Sequence, residues 1–539
     1  MIFKLPVGRS IKFSKTALFG LLFVFSAFLC GMQQPPSPSP KGKKSLFMEY
    51  ADSTVFDRES NPDIHILLGN VRFRHDSAYM FCDSAYYYAA DNSLVAFANV
   101  HIKQGDTLDI YGSYLNYDGD LNLAQMRENV RMESNSQTLF TDNLDYDRNL
   151  NLGYFFDGGL LVDSLNELRS NQGQYSPATK IATFKGNVTL TNPQFVLKSD
   201  TLLYNTDDKT VNIVSPTVIE SDSGIIRSSR GWYNTETEKS TLYDRSLIIS
   251  KDGSKTMTAD TLFYNRALGF GEAFGNMVLN DTVRKGILTG NYGFSDERND
   301  LAFATDSAQF IEYSQKDSLF LHADTLFAQN FDSIRELRAY HGVRFYRIDL
   351  QGVCDSLFFS TRDSTLRLIT NPVLRNTGYQ ITGDTINILF NDSTIERVNV
   401  INRSFAIEEK DATYFNQIKG RNLTAFFDAG ELLRIDIEGN TESIYYPIEE
   451  KKTEYIGRNK TESPNMTVYI KNRKPVKIWW GPEPKAEMLP IPDLNPEQKF
   501  LKDFVNFNYL RPKDKTEIFI ETKMKAEDVP TAPRRRRGR

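Results

Sequence analysis

Two short strings recur along residues 69–425 at a spacing near 30 residues, and a register held that long dictates a repeat architecture. One string is Asp-Thr/Ser-Leu-x-aromatic. It is clearest as Asp83-Ser84-Ala85-Tyr86-Tyr87, Asp200-Thr201-Leu202-Leu203-Tyr204, Asp260-Thr261-Leu262-Phe263-Tyr264, Asp324-Thr325-Leu326-Phe327 and Asp355-Ser356-Leu357-Phe358-Phe359. With weaker copies it starts at residues 83, 113, 142, 171, 200, 229, 260, 290, 324, 355, 384 and 421. The second string interleaves with it: Gly69-Asn70-Val71-Arg72-Phe73, Asn99-Val100-His101-Ile102, Asn129-Val130-Arg131-Met132, Gly186-Asn187-Val188-Thr189-Leu190, Gly275-Asn276-Met277-Val278-Leu279 and Gly342-Val343-Arg344-Phe345. Apolar residues two apart after each Gly-Asn are the mark of a strand with one buried face. Gly or Asn supplies a left-handed corner just before it, and Asp-Thr caps free backbone groups at another. Each unit is therefore expected to give two strands and two corners. Units exposing one apolar face must stack on neighbours to bury it. The expected fold class is all-β, an elongated stack of two-strand repeats over residues 46–445, with a short irregular C-terminal segment.

Composition supports this. The chain of 539 residues carries 37 Phe and 26 Tyr against 3 Trp, a load that suits half-buried strands. With 64 Lys+Arg and 69 Asp+Glu the formal net charge is −5, so no global field draws it to nucleic acid. Residues 1–31 read as a signal peptide, with an apolar run Ala17–Leu29 too short for an ordinary span of about 20 residues; an uncleaved anchor, or lipidation at Cys30, is the alternative. Residues 32–45 form a Pro/Ser/Lys linker. Six prolines between Pro475 and Pro496 mark the Pro-rich segment 446–530, in which Glu497–Asn506 is expected to be helical. Residues 531–539 are a basic tail.

Groups that would carry chemistry are sparse. His65, His75, His101, His322 and His341 have no zinc-ligand spacing, and Cys82 and Cys354 have no nearby histidine. Phe270–Asn276 contains glycines but not the phosphate-loop pattern. The aspartates recur as corner caps. No catalytic residue, metal site or cofactor is expected.

The alternating Gly-Asn-Val and Asp-x-Leu-x-Tyr strings behind a signal peptide resemble the OstA-like (organic-solvent-tolerance) family. Its members include the periplasmic lipopolysaccharide-transport protein LptA and the N-terminal part of the translocon LptD. The resemblance divides the repeats into an OstA-like part, 46–195, and a continuing array, 196–445. It implies an open β-jellyroll with an apolar groove, and a non-enzymatic periplasmic carrier of lipopolysaccharide toward the outer membrane. The acyl chains of lipid A would lie in the groove, and other transport components would pair with the edge strands. Residues 451–539 are expected to be too few for a translocon barrel. The lining positions implied are Val71, Phe73, Val100, Ile102, Val130, Val188, Leu190, Met277, Val343 and Phe345; from the residues alone these equally make a closed, dry core. Two other readings stay open: a parallel β-helix that binds or cleaves polysaccharide, and a cargo-free structural protein of the envelope.

Overall fold

A computed structural model describes residues 45–528 apart from 57–58, 60–62, 332, 392–393, 450–453 and 473. The signal segment, most of the linker and the basic tail lie outside the described residues. All strand pairings are antiparallel, and 44 strands join in one hydrogen-bonded sheet. That removes the parallel β-helix alternative.

The first repeats fold into strands of 11 or 12 residues: His65–His75, Ala78–Tyr88, Ser93–Gln104, Leu108–Asp118, Leu123–Ser134 and Gln137–Asp147. Each is bent in its middle. Pairing runs to Leu68↔Ser84 and resumes at Val71↔Cys82, so two residues face one across a bulge. The extra pair is Gly69 and Asn70, at φ +77° and +48°. A Cβ on Gly69 would sit 2.3 Å from Asp52 Oδ2, so both the dihedral and the close approach require glycine there. The two recurring strings meet at this bulge. Asn99 Nδ2 donates to Asp83 Oδ2 at 2.8 Å, and Asn276 Nδ2 to Asp260 Oδ2 at 2.8 Å. Each string thus lies inside a strand, not before one, and two strings make one corner. The two-against-one count shifts the alternation by one residue, which is why a single bent strand reads as two.

The corners fold the sheet along a line into two ladders. Sheet I contains the strand halves before each Gly-Asn and after each Asp motif; sheet II contains the others. Further along, the corner separates the halves completely: Thr210–Ile213 pairs in sheet I and Thr217–Ser221 in sheet II. Strand pairing does not stop near residue 445. It continues through Gly457–Lys471 to Lys474–Gly481 in sheet I and Lys485–Pro490 in sheet II.

The expected helix over residues 497–506 is absent. Only a single 3-10 turn forms, Pro496–Lys499, capped reciprocally by Asn495 and Gln498. After it Leu501 and Phe504 pack on Phe405 and Phe415, and this burial pulls the chain into an extended strap on the outer face of sheet II. Buried glutamines, one per repeat, clip that strap. Gln417 Nε2 donates to Lys499 O at 2.9 Å while its Oε1 accepts from Leu501 N at 2.8 Å. Gln380 does the same with Val505 O and Phe507 N, both at 2.9 Å. Gln351 Oε1 accepts from Arg511 Nε at 2.8 Å. Gln380→Leu strands two buried backbone groups at about 1–3 kcal/mol each. Limited proteolysis of that variant is expected to cut around residues 505–507 faster, with the strands beneath unchanged.

Candidate functional site

The inward faces of the two sheets pack against each other, and the character of this interface changes along the chain. From Leu46 to Leu242 it is sealed. Val71, Phe73, Val100, Ile102, Val130, Val188 and Leu190 are all at most 1% exposed and share one core with Leu67, Tyr117, Tyr146, Phe184 and Tyr204. Seven of the ten expected lining residues therefore sit buried in one shared core.

Polar latches close the strand ends farthest from the corners in this stretch. His75 of sheet II lies 2.6 Å from the Tyr117 hydroxyl of sheet I, and Arg148 donates to that hydroxyl at 2.7 Å and to His75 O at 3.1 Å. Gln137 Nε2 reaches Thr206 O at 3.2 Å. The largest latch surrounds Asp163, whose side chain is fully buried. It accepts from the Tyr204 hydroxyl and from Lys209 Nζ at 3.1 Å. Asn166 Nδ2 bonds Tyr204 at 2.9 Å and Thr235 at 3.0 Å, and Asn192 bonds Asn166 at 2.9 Å. Burial pushes the Asp163 carboxyl up. Hydrogen bonds from Tyr204, from the Leu165 and Asn166 amides and from Lys209 outweigh that and hold it below the usual range. Burial and the neighbouring carboxylate push the Tyr204 phenol well above its ordinary value.

Past residue 247 the interface opens. Met277, Val343 and Phe345, the other three expected lining residues, stay buried beside the corner. The inward residues nearer the strand ends are only half-buried: Ile248, Met257, Leu279, Leu288, Phe310, Leu321 and Leu350. The residues at the corner also shrink. Ala259, Ala273, Ala304, Ala308, Ala323 and Ala339, all at most 1% exposed, occupy the core here, where Phe184, Leu202 and Tyr204 filled it before. Gly290 and Gly293 complete this floor. The last latch joining the two lips is Arg266 Nη1 to Gln194 Oε1 at 3.1 Å. Among the described residues no side-chain hydrogen bond or ion pair joins the lips between there and Leu350. The result is an apolar cleft with a small-residue floor and walls of Ile, Leu, Met and Phe side chains. Sequence reasoning passed over the walls because it ranked the first apolar residue after each Gly-Asn, which lies deepest. The Ala-for-Leu/Tyr exchange at the corner was the signal that could have found them.

The groups that could do covalent chemistry are dispersed. His65 stacks on Phe56, His101 bonds Asp109 at 2.7 Å, and His322 lies under the strap against Phe519. Burial pushes the Cys82 and Cys354 thiols up to about 12, so neither is a ready nucleophile. Among the described residues no three His, Cys, Asp or Glu come together in a metal-binding arrangement.

Comparison with known proteins finds a match between residues 43–200 and the family model of OstA-like proteins. Among solved structures the chain is similar to LptH, the LptA-homologous periplasmic component of the lipopolysaccharide transport device of Pseudomonas aeruginosa. Identity is 14%, over 26% of this chain and 80% of that one, with a TM-score of 0.16. No curated protein matches. The in-register strings, their assembly into one corner and the family match agree over one stretch: residues 43–200 are OstA-like.

Proposed function

We propose that the chain is a non-enzymatic carrier that shields the acyl chains of lipopolysaccharide on their way to the outer membrane, in the periplasm. The observation that carries this reading is the change at residue 247 from a sealed core to a half-exposed apolar cleft. Each methylene withdrawn from water is worth about 0.8 kcal/mol, so an amphiphile with several chains crosses an aqueous compartment only when they are covered. An open-mouthed cleft covers the chains and leaves the headgroup in water. The sealed, latched part from residue 46 to 242 serves as a rigid stalk.

Both ends of the ladders suit pairing with other transport components. Phe47–Tyr50 and Ser53–Phe56 at one end, and Lys474–Gly481 and Lys485–Pro490 at the other, each pair on one side only among the described residues. Such edges accept another strand by backbone hydrogen bonding. The driving force for directional movement comes from those partners.

Depletion of the protein in its own cells tests this. Lipopolysaccharide labelled at the cell surface is expected to fall, with material accumulating behind it. Unchanged surface lipopolysaccharide would leave the cargo-free structural role as the surviving reading.

A further inference from the structure

The outer face of sheet II loses its charges where the cleft opens behind it. On the first six strands of that sheet the outward positions include Arg72, Arg74, Lys103, Asp109, Arg131 and Glu133. Six later neighbours carry no charge outward: Leu247–Ser250, Lys255–Thr258, residues 277–281, residues 286–290, Gln309–Glu312 and Leu319–His322. Each presents two residues on that side. Leu247, Ile249, Val278, Ile287, Ile311 and Phe320 take half of these positions, and Thr, Asn, Gln and His take the rest. The six apolar side chains are half-buried, alternate with inward ones such as Ile248, Leu288 and Phe310, and belong to none of the apolar clusters.

The strap covers the continuation of this face and stops at its edge. Its glutamine clips, Gln417, Gln380 and Gln351, recur on every second strand of one cross-strand row, and Phe320 takes the next place. There the strap ends. Phe519 rests on His322 with ring centroids 4.7 Å apart, and Lys515 Nζ lies 5.8 Å from the centre of the Phe320 ring. The tip stands one chain layer above the bare strands, with Phe519 43% and Ile520 59% exposed. Charge returns outward at the two ends. Arg227, exposed on the strand before Leu247, has no carboxylate partner among the described residues, and the exposed Glu521 follows the tip.

We propose that this face is an interface between two copies of the chain, packed back to back about a two-fold axis between the strands of Val278 and Ile287. Three observations select a second copy. An uncharged face meets itself without repulsion, although each chain has a formal net charge of −5. The axis places each raised tip, Phe519 and Ile520, over the bare Leu247/Ile249 end of the other copy, where two twisted sheets drift apart. It also turns Arg227 of one copy toward Glu521 of the other. With its ends the patch measures about 35 Å by about 13 Å. Two such faces bury on the order of 1,000 Å², the lower bound for a specific interface, so the pair should dissociate in the micromolar range. Both clefts open away from the contact, so the proposal stands whether or not the cleft carries a lipid.

Sedimentation of the full chain between about 1 and about 100 µM is expected to show a monomer–dimer equilibrium. Being apolar, the contact should persist at about 0.5 M salt. Ile287→Asp/Ile311→Asp should weaken it about tenfold or more, since each dimer would bury four carboxylates. Disulfide trapping reads the same contact without a charge. Chains carrying Ile249→Cys or Ile520→Cys lie too far from the axis to link to themselves, and should form a linked dimer when the two are mixed. Cys82 and Cys354 are buried and do not compete. A monomer at every concentration overturns the proposal and leaves the face to a different partner. A dimer that survives in the folded Asp variant, or that yields no mixed disulfide, also overturns it and points to pairing of the edge strands instead.

Discussion

Asp163→Ala is expected to open the sealed part of the array at its strongest latch, at a cost of about 3–5 kcal/mol. The substitution leaves the Tyr204 hydroxyl and the Lys209 ammonium, 11% exposed, facing each other without the carboxylate that joins them. Repeat arrays open piecewise, so the readout is hydrogen exchange in Phe195–Asn205 and Thr210–Ile213. The latch also has an acid limb of known sign. Asp163 titrates below its unfolded value of about 3.9, so its contribution is complete above that pH and is lost as pH falls through the lower folded value. Protection of those strands should therefore fall in strong acid in the wild type. Asp163→Asn keeps a hydrogen-bond acceptor but not the charge, and should flatten that acid limb while costing less at neutral pH. An unchanged acid limb in the Asn variant would show that another group sets it.

Ala328→Trp is expected to abolish amphiphile uptake, lowering affinity tenfold or more, with a stability change under about 1 kcal/mol. Ala328 is half-buried on the inward face of sheet I and pairs with Ala302, also half-buried. An indole there has open space to enter, and the space it fills is that proposed for the acyl chains. Ala182→Trp makes the contrast. Ala182 is fully buried in the sealed part, next to Phe184 on the same inward face. Overpacking there costs about 1–3 kcal/mol or more and should disturb folding without bearing on uptake. Binding by the folded Ala328→Trp protein at wild-type affinity would place the chains elsewhere.

Much of the architecture is legible in the residues. The strand faces follow from pairs such as Val188/Leu190 and Leu202/Tyr204, all buried inward. The corner was half-legible. Asn and Asp recur in register, but only the fold reveals that Asn99 and Asp83 bond each other across one bulge. The Phe/Tyr excess has two destinations. Phe73, Tyr117, Tyr146 and Tyr204 fill the core, whereas Phe327, Phe358 and Phe426 lie under Arg338, Arg367 and Arg434 on the outer face of sheet I. Alternation assigns a residue to a face but does not say which face is the inside. The strap was not legible, because its clips are Gln351, Gln380 and Gln417, polar residues that alternation assigns to solvent and that the fold buries to 1%, 2% and 0%. Whether the inward face is sealed depends on side-chain volume at the corner and on hydrogen bonds between lips distant in sequence. The repeat register carries neither.

The most direct test of the account is a photo-crosslinking scan along the inward face in living cells. A benzoylphenylalanine replaces aromatic residues one at a time, which keeps size changes small. Phe73 and Phe184 sample the sealed stretch; Tyr264 and Phe310 sample the open one. The account predicts lipopolysaccharide adducts at Tyr264 and Phe310 and none at Phe73 or Phe184. Adducts of equal yield at all four positions, or at the sealed pair alone, would contradict it.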